Sequence, residues 1–283
     1  MSITDTLPVD PVVLQSEQLR VAVLPKDGVR IASIVDRRSG AEFLLQPHAS
    51  YRRVRASEQW EAFENSACAG IVDCLPSVGS CGAEAPGGPV PDHGDFWRLE
   101  WGATRASEDS IQLQATGYSR TLSFEKRLSL CETKLEISNQ ICNFGQNPVP
   151  FLYAWHPLFA VDEGDRILLP EEISSARIQF SRRERLGRAN SVVAWPHPDA
   201  ANPTLDLSRV GSVADGTAEM LYTDRLKSGW CSIYRASIGQ GLTVRFNPRQ
   251  LPYLGLWLCN GGWPEDAARA RQYAVAFEPT AAP

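Results

Sequence analysis

The 283-residue chain has no apolar run long enough to span a bilayer, no Gly/Ser or Pro tract of the kind that links domains, and no internal repeat. Helical periodicity is almost absent too. The N-terminal stretch Met1-Ser2-Ile3-Thr4-Asp5-Thr6-Leu7-Pro8 carries neither a positive leader nor an apolar segment for export, which points to a soluble cytoplasmic protein with no membrane partner. Seven cysteines are present, but none forms a close pair of the kind that marks zinc or redox sites, so they read as reduced thiols. Cys68, Cys74 and Cys81, with His93 beyond, could gather a metal, yet their spacings match no established ligand pattern, and neither metal nor cofactor is expected. A net charge of −5 with no basic aromatic stripe excludes a general binder of nucleic acid.

What the chain does have is alternation. With 43% hydrophobic residues it can bury a large core, and a single domain over residues 1–283 is expected, with Gly79 to Pro91 as one long excursion. Leu19 to Leu24, Val29 to Val35 and Ala41 to Leu45 suit an opening antiparallel meander. Leu122, Phe124, Lys126, Leu128 and Leu130 alternate with polar neighbours, and Leu135, Ile137, Asn139 and Ile141 do the same after a turn near Cys131-Glu132-Thr133, predicting a long hairpin. Phe96 to Trp101 reads as a strand, as do Arg166 to Leu169, Arg177 to Phe180, Val192 to Trp195, Met220 to Tyr222, Trp230 to Tyr234, Leu242 to Phe246, Tyr253 to Cys259 and Tyr273 to Phe277. The clearest helical piece is the short Pro264 to Arg271. So many strands predict an all-β, large antiparallel sandwich.

Four places carry possible chemistry. In Val149 to His156 the aromatics Phe151, Tyr153 and Trp155 fall on one side and His156 on the other, and Pro157 is expected to end the strand there. Read alone, that also fits a packed histidine beside a turn. His93 follows the proline-rich loop in Pro91-Asp92-His93-Gly94, and Asp224 follows a strand in Thr223-Asp224-Arg225; each alone also fits a surface residue or a turn. In Tyr273 to Thr280, Ala274, Ala276 and Glu278 share one face, so two small residues beside a carboxylate leave room for a ligand, and Pro279 is expected to end that strand. Trp97, Trp155, Trp257 and Trp263 are candidates for covering the apolar face of a sugar, although tryptophans in a large β protein also serve as core.

His93-Gly94, His156-Pro157-Leu158-Phe159, Thr223-Asp224-Arg225 and Glu278-Pro279, in that order, resemble the motifs of the galactose mutarotase-like superfamily, the aldose 1-epimerases and the related hexose-phosphate 1-epimerases. The resemblance runs from about Leu19 to Pro283. It implies a β-supersandwich and an isomerase that interconverts the α and β anomers of an aldose, with Glu278 as base, His156 as acid, and His93 and Asp224 holding sugar hydroxyls. The chemistry needs no cofactor. Removing the C1 hydroxyl proton while protonating the ring oxygen opens the ring, and the aldehyde recloses from either face.

The hexose-phosphate branch has Arg-Gly-Gly-Ile and His-Gly-Phe-Ala-Arg where this chain reads Cys68-Ala69-Gly70-Ile71 and His93-Gly94-Asp95-Phe96-Trp97. Both arginines are missing, and Asp95 would repel a phosphate, so an unphosphorylated sugar is expected, with Arg53 or Arg55 as possible substitutes and Asp73 accepting from neutral hydroxyls. The expected substrate-binding set is His93, Asp224, Asp73, Trp97 and Trp263. The alternatives are a noncatalytic carbohydrate-binding or sugar-sensing β-sandwich and a hexose-phosphate 1-epimerase.

Overall fold

Alternating apolar and polar residues become strands throughout the computed structural model, which describes residues 11–48, 52–202, 204–266 and 269–283. The segment read for a leader lies outside those residues. The chain divides into two compact units, Met1–Ala154 and Trp155–Pro283.

In the first unit β1 (Val12–Gln15), β2 (Leu19–Leu24), β3 (Arg30–Asp36) and β4 (Ile71–Cys74) follow one another as antiparallel neighbours. A second antiparallel sheet runs β5 (Gly102–Ala106), β6 (Ser110–Thr116), β7 (Leu122–Cys131) and β8 (Lys134–Asn143). The last two are the expected hairpin, paired from Leu122↔Asn143 to Cys131↔Lys134 and closed by a two-residue turn with Glu132 at φ 50°. Leu122, Phe124, Leu128 and Leu130 of β7 are buried, and Lys126 is buried with them.

The second unit begins within β9 (Ala154–Pro157) and goes on through β10 (Phe159–Ala160), β11 (Arg166–Leu168), β12 (Ser175–Ser181), β13 (Val192–Ala194) and β14 (Thr217–Thr223). It continues with β15 (Trp230–Arg235), β16 (Gln240–Arg245), β17 (Tyr253–Asn260) and β18 (Tyr273–Thr280). Six of these lie side by side in the order β9-β18-β17-β14-β12-β13, with β10 also on β18; β11, β15 and β16 form a separate small sheet. Leu254, Leu256, Leu258, Val275, Phe277 and Leu221 bury one face of the large sheet. The opposite face carries the chemistry.

Several expectations are corrected. Pro157 is the last residue of β9, as expected, but Pro279 does not end its strand: it lies inside β18 and pairs with Leu254. A proline is tolerated in a ladder wherever the pairing asks nothing of its missing N–H. Val149 to Tyr153 precedes β9 without ladder pairing. Residues 41–45 form no strand, only isolated bridge positions at Glu42, which pairs with Val35, and at Leu44. Phe96–Arg98 is a short 3-10 turn, not a strand. Its ends explain this: the Asp95 carboxylate accepts from the N–H groups of Tyr118 (2.8 Å) and Ser119 (2.9 Å), and the fully buried Arg98 donates to the carbonyls of Glu58, Gln59, Glu61 and Asp92. The described part of Pro264 to Arg271 is irregular, a loop pinched at its base by Gln272 N–H to Trp263 O (2.7 Å) and Gly261 N–H to Gln272 O (3.0 Å).

Candidate active site

Glu278 owes its position to the period of two in β18. Glu278 pairs with Gly255 of β17, and Gly255 pairs with Tyr222 of β14, so these three stand in one rank on the face away from the leucine core. The neighbouring rank on that face is Ala276, Trp257 and Met220. Gly255 is the floor. A Cβ there would meet Met220 Cε at 2.8 Å and both Glu278 Cβ and Tyr222 Cε1 at 3.1 Å, so only the lack of a side chain lets those three groups converge.

His156 comes from β9, the strand next to β18, and its Nε2 lies 3.5 Å from Glu278 Oε1. Both are nearly closed off from solvent, with side-chain exposures of 12% and 4%. Burial pushes the Glu278 carboxyl up to about 8, since removing it from water penalises the charged form. A protonated His156 at 3.5 Å would favour the charged carboxylate, the opposite of what burial does. Side by side, they can serve a hemiacetal whose hydroxyl oxygen and ring oxygen hang from one carbon.

Asp224 is the first residue beyond β14, two past Tyr222, and is exposed. Trp263 is half-buried, its ring edge-on to Trp257 at 6.2 Å between centroids, and the Trp257 indole N–H donates to Gln272 Oε1 at 2.6 Å. Sequence reasoning missed Gly255 and Tyr222. A glycine inside Tyr253-Leu254-Gly255-Leu256-Trp257 was the available signal, since an interior strand glycine marks a close approach.

The remaining candidates lie in the first unit. His93 sits at φ 56°, its ring stacked on Phe63 at 4.2 Å and its Nδ1 2.9 Å from Asp92 Oδ1, with the ring partly exposed. Gly94 is obligatory beside it, because a Cβ would fall 2.0 Å from Leu75 O. Asp73 and Trp97 are corrected. Each is only 1% exposed; Asp73 accepts from Lys126 Nζ and from Tyr153 Oη (2.7 Å), and Trp97 packs edge-on to Phe63 under the Arg98 guanidinium. Both are packed into the core, which leaves no exposed surface for a sugar hydroxyl or ring to meet. Asp95, 0% exposed, is likewise turned inward and cannot repel a phosphate. Of the possible substitute arginines, Arg53 pairs with Glu100 at 2.8 Å. Among the described residues no cluster of three or more His, Cys, Asp or Glu has the arrangement of a metal site, and no helix is long and apolar enough to cross a membrane.

No family model and no curated protein matches the sequence, but solved structures match its fold over nearly its whole length. The architecture is the galactose mutarotase-like β-supersandwich. A galactose mutarotase-like protein from Lactobacillus casei superposes with a TM-score of 0.67 at 14% identity, covering 95% of this chain and 87% of its own. A protein from Synechocystis sp. PCC 6803 gives 0.69 at 15% identity over 100% and 89%, and the GalM/aldose epimerase homologue from C. elegans gives 0.60 at 11% over 95% and 89%.

Proposed function

We propose that the chain is an aldose 1-epimerase for unphosphorylated aldoses, with Glu278 and His156 exchanging protons with the hemiacetal. The observation that carries this reading is the Glu278–His156 pair itself, two proton-transfer groups 3.5 Å apart on a face emptied by Gly255. Ionised Glu278 takes the C1 hydroxyl proton as imidazolium gives one to the ring oxygen; the roles reverse on closure, and no proton is gained or lost overall. A carboxyl with so high a proton affinity is a strong base once ionised, which suits a hydroxyl that is itself a weak acid. Asp224 is proposed to hold a sugar hydroxyl, and Trp263 to lie against a ring.

Support for an unphosphorylated substrate now rests on Cys68 and Trp97 standing where arginines would be, not on Asp95. Arg98, next in sequence, is occupied by four backbone carbonyls. The reading is tested by following anomer interconversion by NMR over a panel of aldoses and their 6-phosphates. Free hexoses should be turned over with the higher kcat/KM. Saturation by a hexose 6-phosphate at far lower concentration than by any free sugar would assign the chain to the phosphate branch.

A further inference from the structure

Phe180 is a large aromatic residue that the structure leaves 38% exposed. It owes its direction to an irregularity. Along β12 and β14, Ile178 pairs with Leu221, yet the next pair is Phe180 with Met220, so Gln179 is an extra residue and the register shifts. Without that bulge Gln179 would oppose Met220 and Phe180 would point to the other face. With it, Phe180 joins the face of Met220, Trp257 and Glu278, and its ring lies against that of Trp257 at 6.2 Å and 31°. Trp263 also meets Trp257, edge-on, and the hydrogen bond to Gln272 holds the indole in place.

Position along the sheet sets what the patch could hold. Trp257 is one strand over and two residues along from Glu278, about 8 Å backbone to backbone; Phe180 is three strands over, about 16 Å, from the usual strand spacing and rise. A sugar whose anomeric carbon is at Glu278 would have its own ring over Gly255 and Trp257. Phe180 lies beyond the reach of that ring, where the next ring of a chain would fall. An aromatic face of this kind suits the C–H face of a pyranose.

We propose that the substrate is the reducing end of an oligosaccharide, with its second ring stacked on Phe180, beyond Trp257. The inference rests on the epimerase reading, because a free anomeric centre must reach Glu278, and the attached sugar therefore leaves from another hydroxyl. The bulge at Gln179 is then a specificity device, turning one side chain into the path of the second ring.

The test compares kcat/KM for anomerisation of glucose and galactose with that of maltose, cellobiose and lactose, in the wild type and in Phe180→Ala and Phe180→Trp. At least one disaccharide should exceed its parent monosaccharide about tenfold; Phe180→Ala should lower that ratio about tenfold, and Phe180→Trp should retain it. Phe180 is exposed, so the alanine variant is expected to fold. A ratio at or below one in the wild type, or an equal ratio in Phe180→Ala, overturns the second subsite. If no aldose at all is accelerated, the epimerase reading fails, and calorimetry with the same disaccharides still decides the platform: weaker binding to Phe180→Ala keeps it, and equal or no binding removes it.

Discussion

Two buried carboxylates, one in each unit, show what separates a structural charge from a chemical one. Asp73 in β4 is 1% exposed and compensated, by the ammonium of Lys126 on one oxygen and the hydroxyl of Tyr153 on the other, with Asn139 Nδ2 bonded to the same hydroxyl at 2.7 Å. Tyr153 is thereby held well above the usual phenol range, by burial first and by the neighbouring Asp73 next. Glu278 in β18 is as deeply buried, at 3%, but faces an imidazole rather than a permanent cation, and burial lifts its carboxyl to about 8. A charge that is paired and immobile builds a core. A carboxyl whose proton is held in balance can do work on a substrate.

The comparison can be broken by removing the compensation. Lys126→Met leaves Asp73 as an unpaired buried charge, so unfolding in urea should show a loss of about 3–5 kcal/mol, and Lys126→Met combined with Asp73→Leu should recover much of it. A loss below about 1 kcal/mol in the single variant would mean that the pair is not the structural member of the contrast.

For Glu278 the expected change has the opposite sign. The folded protein keeps the Glu278 proton up to about pH 8, whereas the unfolded chain releases it near the ordinary carboxyl range. Stability from this group is thus complete below about pH 4 and is lost as pH rises towards 8. Glu278→Gln, which has no proton to lose, should therefore become more stable relative to wild type across that window, by a few kcal/mol at its upper end. Thermal unfolding at pH 5 and pH 8.5 measures this. A stability difference that does not change with pH would show that the carboxyl ionises normally.

Gly255 sharpens the contrast at a smaller scale. Gly255→Ala places a methyl group against Met220, Tyr222 and Glu278, and overpacking of this kind costs about 1–3 kcal/mol. Turnover should fall more than stability alone explains, because Glu278 is among the groups displaced. Full activity in a destabilised variant would show that the convergence over Gly255 matters for packing only.

These two carboxylates also mark the limits of the sequence. The alternation around Glu278 was readable because a strand period of two assigns faces directly, and the eight strands expected from residue 166 onward are all present; the strand that carries His156 is shorter than the alternation before it suggested. Asp73 looked equally available, since its compensation comes from Lys126 and Tyr153, 53 and 80 residues away, and no local pattern reports such partners. Lys126 did fall on the apolar side of its hairpin, the one hint that a buried acid was needed. Trp97 and Asp95 were misplaced for a related reason: a turn fixed by side-chain bonds to distant backbone reads, locally, like a strand. The direction of Phe180 was hidden by a single bulged residue.

The most direct measurement is the rate at which a freshly dissolved α-aldose reaches anomeric equilibrium, followed by NMR with wild-type protein and with Glu278→Gln. The wild type should exceed the buffer rate, and the variant should lose about a hundredfold or more of that acceleration, the usual worth of a positioned base, while calorimetric affinity for the sugar moves by only about 1 kcal/mol. A wild-type protein that binds an aldose yet leaves its spontaneous rate untouched, or a Glu278→Gln variant with near-normal turnover, would contradict the account.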